Sequence, residues 1–174
     1  MLNTDGDESR TCKLKVRTFA MGDYPEVRKL WVASGLEIRP GDEPQGIARK
    51  LTRDRELFLV AEEDGKIVGT IMGAWDGRRG WMYHLGVQPE RQRMGVATRL
   101  VRELEARMMK LGIPKVNALI YPSNVVSVKF FTSAGYAVME MKEAQKVLDR
   151  QPTVGTKKVR VRANPKLSRA RRLR

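Results

Sequence analysis

The chain has 174 residues, 41% of them hydrophobic, and a single cysteine, Cys12. That length suits one domain with a sizeable core, and a lone cysteine excludes a disulfide framework and points to a reducing compartment. The formal charge of +14 is uneven: Gln151 to Arg174 carries nine Lys/Arg and no acid, which leaves the first 150 residues near +5. No run approaches the ~18 apolar residues of a membrane span, and the first eight residues lack the basic and apolar parts of a secretory signal, so a cytoplasmic protein with no membrane partner is expected.

In chain order, residues 1–12 read as a disordered N-terminus. Leu14 to Phe19 alternates apolar and polar, the pattern of a strand with one buried face. Asp23-Tyr24-Pro25-Glu26 reads as a helix start, with Asp23 as cap and Val27, Leu30 and Trp31 turned inward before Gly35 ends the helix. Asp42-Glu43-Pro44 opens a shorter helix with Ile47 and Leu51 inward. Leu57–Ala61 and Ile67–Met72 are strands joined around Asp64-Gly65, a strong hairpin signal. Gly77-Arg78-Arg79-Gly80 turns the chain into a third strand, Trp81 to Val87.

A long helix follows Gly95, with Ala97, Val101, Leu104, Met108 and Leu111 on one stripe, and stops at Gly112 with Pro114 beyond. Val116–Tyr121 reads as a strand. Asn124 can cap a helix that turns Val125, Val128 and Phe131 to one side and ends at Gly135. Tyr136 to about Leu148 is expected to return to the sheet, although its Lys, Glu and Gln content also allows a helix. The order β-α-α-β-β-β-α-β-α-β is that of an α/β layered domain. It spans residues 13–150 as a single domain and leaves residues 151–174 as a basic C-terminal tail.

The joint between the third strand and the long helix holds Gln92-x-x-Gly95-x-Ala97. The first N–H groups of a helix have no intrahelical partner and sit at the positive end of the dipole, so such a turn suits a phosphate. Small residues at 95 and 97 let a ligand approach the backbone. His84 is the sole histidine, and its reference pKa of about 6.5 suits a general base. A histidine packed under a helix is the plainer reading. Tyr83 and His84 alternate to opposite faces unless a bulge resets the strand.

These features, in this order, resemble the GCN5-related N-acetyltransferase (GNAT) family. The likeness runs over roughly residues 13 to 148. It rests on Leu85-Gly86-Val87, the Pro89-Glu90 turn, Gln92-x-x-Gly95-x-Ala97, Asn124 seven residues before Phe131, and Gly135-Tyr136. Within the family the chain is similar to small bacterial members of the YpeA type, through Gly69-Thr70-Ile71-Met72-Gly73, Asp76-Gly77 and Ile38-Arg39-Pro40.

The resemblance implies a mixed central sheet of six to seven strands flanked by about four helices. It also implies acetyl-CoA as co-substrate, with an acetyl group passing to an amine by direct attack in a ternary complex. A bulge near Leu85–Val87 would free backbone amides for the pantetheine arm and for the thioester carbonyl. Gln92 and the turn Arg93, Met94, Gly95, Val96, Ala97 and Thr98 would hold the pyrophosphate. Asn124 and Phe131 would lie along the arm. Arg39 and Asp76 fall in loops that border the acceptor in this fold, and solvated loop charge is the plainer reading of both.

Two departures from the family pattern stand out. Arg93 replaces a common glycine, and Phe131 replaces the tyrosine that often serves as general acid. Tyr83, His84 and Tyr121 are therefore the candidate proton-handling residues, and no metal is expected. The acceptor would be a small-molecule or peptide amine, and the protein a monomer or homodimer. The 157–174 segment could add a nucleic-acid partner through phosphate neutralisation, although it has no aromatic residue to stack on bases. A competing reading is a CoA-binding protein of the same fold with weak or no chemistry, associated with nucleic acid or a ribosome through that tail.

Overall fold

The computed structural model describes residues 14–141 and 144–148. The chain divides into two units, residues 1–142 and 143–174. The N-terminal residues 1–12 and the basic tail 151–174 lie outside the described residues.

In the first unit, β1 (Lys15–Thr18), β2 (Phe58–Glu63), β3 (Lys66–Trp75), β4 (Gly80–Val87) and β5 (Val116–Ala118) form one sheet in that order. The first four pair antiparallel and β4 pairs β5 in parallel. The β2–β3 turn places both Asp64 and Gly65 at positive φ, 49° and 74°, as the tight turn of a right-twisted hairpin requires.

Four α-helices flank the sheet: α1 (Tyr24–Ala33), α2 (Pro44–Asp54), α3 (Val96–Lys110) and α4 (Val125–Ser133). One face of the sheet packs against α1 and α2 through Val27, Leu30, Trp31, Ile47, Phe58, Val60 and Met72. The other packs against α3 and α4 through Leu59, Ile71, Met82, Leu100, Leu104, Met108 and Phe131. Each such side chain contributes about 1.5–3 kcal/mol relative to exposure. The close seat of α3 depends on Gly69, where a Cβ would fall 2.7 Å from Val96 Cγ1.

Several expectations are corrected. The sheet has five strands among the described residues, not six to seven. Residues 136–141 and 144–148 form neither strand nor helix. Val138, Met139 and Met141 are all exposed, so no alternating face drives that segment onto the sheet, and the three-residue β5 offers a short edge to pair with. Asp23 precedes α1 but does not cap it. Its carboxylate instead accepts from the Ala20 amide at 2.8 Å and from Arg17 at 2.7 Å, and the Arg17 guanidinium holds it below the usual carboxylate range. Leu111 lies at the C-cap of α3, half exposed, and not on the buried stripe.

Candidate active site

The site forms where β4 loses a neighbour. β3 pairs β4 along its length, whereas β5 pairs it only from Gly80 to Met82. β5 stops at Ala118, so Tyr83 to Val87 has no strand on that side among the described residues. The chain then turns at Asn124, whose Oδ1 accepts from the Ser127 amide at 3.0 Å and starts α4. A wedge is left between the C-terminal half of β4 and the start of α4, with the Leu85–Val87 backbone on one wall.

β4 also carries the bulge. Thr70 faces Gly86 and Met72 faces Tyr83, so Ile71 opposes both His84 and Leu85. The bulge sits one position ahead of Leu85–Val87, and its first residue, His84, has φ +51°. Holding a non-glycine residue there costs of order 1–3 kcal/mol, and such positions cluster at active sites. The bulge resets the alternation, which puts Tyr83 and His84 on the same face, the one that α1 and α2 cover. Their rings are 6.0 Å apart, and Trp31 of α1 meets His84 edge-on at 4.7 Å.

Three buried side-chain polar atoms lack a hydrogen-bond partner among the described residues: Trp31 Nε1, Thr70 Oγ1 and His84 Nε2. All belong to the bulge or its neighbours. An unmade bond of this kind costs about 1–3 kcal/mol, so three around one bulge mark a strained, specialised place.

Below the wedge, the turn before α3 runs through Arg93 at φ +61° and Gly95 at φ +83°. Among the described residues no backbone bond engages the amides of Arg93, Met94, Gly95, Val96, Ala97 or Thr98, and the first bonded amide is Arg99, to Gly95 O at 3.0 Å. No side chain among the described residues caps the helix. Among the described residues a Cβ on Gly95 would meet nothing within 4 Å, so they leave the space above the turn open. Free amides, the positive end of a 15-residue helix and clear space fit an anionic pyrophosphate. Gln92 serves the turn from behind, its Nε2 donating to Val87 O at 3.3 Å. A cavity of about 560 Å³ lined by Val16, Gly95, Thr98, Arg99, Arg102 and Glu103 adjoins this turn on its β1 side. It touches no residue of the bulge.

The other wall comes from the loop between α1 and α2. Asp42 is only 7% exposed, and its Oδ1 lies 3.1 Å from His84 Nε2. Nε2 nonetheless makes no hydrogen bond among the described residues. Asp42 Oδ2 accepts from the Arg39 amide at 2.8 Å, and the Tyr24 hydroxyl donates to Asp42 O at 2.9 Å. Arg39 pairs with Glu37 at 2.9 Å, donates to the Tyr121 hydroxyl and stacks its guanidinium 5.4 Å from the Tyr121 ring centre. That contact joins the α1–α2 loop to the segment after β5 across the wedge. Tyr83 is 37% exposed. Burial of its hydroxyl, with Asp54 and Asp42 nearby, pushes its pKa up to about 12.

Of the residues singled out in the sequence, Tyr83, His84, Leu85, Gly86, Val87, Arg39, Tyr121 and Asn124 come together around the wedge, and residues 92–98 lie at its foot. Two do not join them. Phe131 is 4% exposed, packed edge-on against Phe130 and Tyr136 in the core, so its ring supports α4 from inside. Asp76 sits at the tip of the β3–β4 hairpin, accepting from the Arg78 and Arg79 amides and from Trp81 Nε1. Asp42 was missed because Asp42-Glu43-Pro44 reads as a helix start. The signal that could have found it is Gly41 with Gly46, a spacing that allows a backbone to fold tightly onto α2.

A sequence profile described as "Acetyltransferase (GNAT) family" matches residues 24–136. An acetyltransferase of Photorhabdus laumondii is 46% identical over 112 residues, which cover 64% of this chain and 77% of that protein. One from Sodalis glossinidius is 38% identical over 128 residues, covering 73% and 89%. Among solved structures, an N-acetyltransferase of Thermoplasma acidophilum in complex with coenzyme A superposes with a TM-score of 0.69 at 19% identity, over 75% of this chain and 93% of that one.

Proposed function

The chain belongs to the GNAT acetyltransferase family, and from that premise we propose that it moves the acetyl group of acetyl-CoA to a primary amine by direct attack in a ternary complex. It is an acyltransferase, and acetyl-CoA is its donor. The observation that carries the proposal is the alignment of two features on one strand–helix joint: an unpaired, bulged β4 edge above a turn of free amides.

In this reading the amides of Arg93, Met94, Gly95, Val96, Ala97 and Thr98 hold the pyrophosphate, with Gln92 pinning the turn to the end of β4. The backbone of Leu85, Gly86 and Val87 bonds the pantetheine arm, and Asn124, with its Oδ1 spent on α4, offers its Nδ2 group beside it. An amide of the bulge stabilises the oxyanion that develops when the amine attacks, a service worth about 10²–10³-fold when a single donor is removed. Bound acetyl-CoA supplies an activated acyl carbon and a thiolate leaving group. A free thiol's pKa of about 8.5 makes that thiolate a fair leaving group. The amine, on a small molecule or a peptide terminus, enters between the Arg39–Tyr121 bridge and Tyr83.

Two measurements test this. The parent protein is expected to release thiol from acetyl-CoA with at least one member of a panel of primary amines. Gly95→Trp fills the open space above the turn and is expected to abolish acetyl-CoA binding in calorimetry while circular dichroism keeps the parent's spectrum. Parent-like affinity in Gly95→Trp would show that the phosphates lie elsewhere.

A further inference from the structure

We propose that His84 and Asp42 act as a pair in this reaction: His84 takes the proton that the acceptor ammonium must lose, and Asp42 fixes the imidazole and stabilises its charged form. The proposal rests on the acetyltransferase reading of the same site.

Asp42 is almost fully buried, and a buried carboxylate normally sits beside a Lys or Arg. Among the described residues the sole ionisable partner within 4 Å of Asp42 is His84. Its Oδ2 is committed to the Arg39 amide and its main chain to Tyr24 and Arg39. Oδ1 therefore remains for the imidazole. Gly46 carries no Cβ, and this lets Gly41 O come close enough to press the loop into place; a Cβ there would fall 2.0 Å from that oxygen.

The histidine side is equally specific. A structural histidine under a helix would spend its buried nitrogen on an aligned bond. Here Nε2 is buried without one, 3.1 Å from a carboxylate oxygen. Catalytic hydrogen bonds are often misaligned before substrate binds and tighten afterwards. The side chain is 17% exposed, and Nδ1 makes no bond among the described residues. His84 is also the bulge residue itself, so its ring stands beside the backbone that would polarise the thioester.

The other groups around the ring do not compete for the role. Asp54 is taken by Lys50 at 2.8 Å, and Arg53 approaches it at 3.9 Å. Glu37 is taken by Arg39. Tyr121 accepts from Arg39, Tyr24 donates to Asp42 O, and Tyr83 stays protonated to about pH 12.

Nδ1 of the neutral imidazole accepts one proton from the acceptor R–NH3+, leaving R–NH2, while Asp42 stabilises the imidazolium through Nε2–H. The amine lone pair forms the N–C bond, the C–S bond breaks, and the electron pair leaves with sulfur. The second proton of the nitrogen goes to the thiolate through water, and the imidazolium returns its proton to solvent.

His84 is the only histidine, so one set of imidazole signals reports the pair. The experiment combines kcat/KM against pH for parent, His84→Gln and Asp42→Asn with 15N-detected imidazole spectra and acetyl-CoA calorimetry. The parent is expected to show an acidic limb in kcat/KM and an Nε2–H tautomer at neutral pH. His84→Gln should lose about 10²–10⁴-fold in kcat/KM together with the limb, and free imidazole should restore part of the rate to His84→Ala. Asp42→Asn should move the limb toward lower pH and perturb the imidazole nitrogens, with acetyl-CoA affinity unchanged in every variant. A merely structural Asp42 would leave the limb where it is. A turning-over parent matched by His84→Gln, or an Asp42→Asn protein with parent imidazole spectra and limb, overturns the pair. A parent that binds acetyl-CoA but releases no thiol with any amine overturns the transfer reading, and the pair with it.

Discussion

Asp76 shows how a charged loop residue can be fully spent on local structure. Both of its oxygens are engaged at the hairpin tip, and the Trp81 indole N–H, with the Arg79 and Arg78 amides, lowers its pKa to about 2. An unfolded aspartate titrates near 3.9, so the ionised form adds stability at every pH above about 4, and the contribution fades as pH falls from there toward 2. The parent is therefore expected to outlast Asp76→Asn in urea at pH 5–7, with the gap in midpoint closing below pH 4. A gap that persists unchanged to pH 2.5 would mean that shape, not charge, holds the tip. Arg39 differs in the same respect that made both residues candidates: its guanidinium crosses the wedge to Tyr121, so it borders the acceptor entrance proposed above while Asp76 does not.

At the scale of elements, the interval between α1 and α2 decides more about the site than either helix. Gly41, at φ +102°, turns its carbonyl onto Gly46, and this contact sets Asp42 beneath β4. Gly46→Ala forces that loop away from α2, an overpacking strain typically worth about 1–3 kcal/mol. Turnover is expected to fall at least tenfold, by removing one member of an acid–base pair that supplies 10²–10⁴-fold in full. Acetyl-CoA affinity should hold, because the α3 turn belongs to a different element. Unchanged turnover in a folded Gly46→Ala protein would show that the loop carries no catalytic group. The strands and helices themselves were legible because each announces itself locally: Asp64-Gly65 between two apolar runs, Pro25 and Pro44 in first turns, Gly95 and Gly112 bounding α3. The segment after Gly135 was not, because whether a weakly patterned stretch joins a sheet depends on the edge it would meet. β5 ends after three residues, and nothing in residues 136–148 reports that.

Across the whole molecule, the turn proposed to hold the pyrophosphate could be singled out from spacing because its groups are backbone amides within six consecutive residues. The acceptor side could not. His84 and Asp42 stand 42 positions apart, and neither shows its partner in the sequence. Only the bulge that turns His84 onto the α1–α2 face brings them to 3.1 Å. The same separation of local and distant features bears on the basic residues. Every group assigned here to donor or acceptor lies between Arg39 and Asn124, whereas nine of the Lys/Arg lie beyond Gln151. A protein ended at Arg150 is thus expected to match the full chain in transfer to small amines. Affinity for a nucleic acid, where the full chain has it, should vanish in the shortened protein. In the full chain, log K should fall with log salt by about 0.9 per duplex phosphate neutralised. Transfer that collapses on shortening would place a catalytic or structural group in the tail, and a salt-insensitive affinity would require contacts other than phosphate. Equal transfer with lost, salt-steep affinity would assign chemistry to the folded body and charge to the tail, because a thioester and a polyanion make unrelated demands on a protein: one needs a few groups held to within tenths of an ångström, the other only many cations within reach.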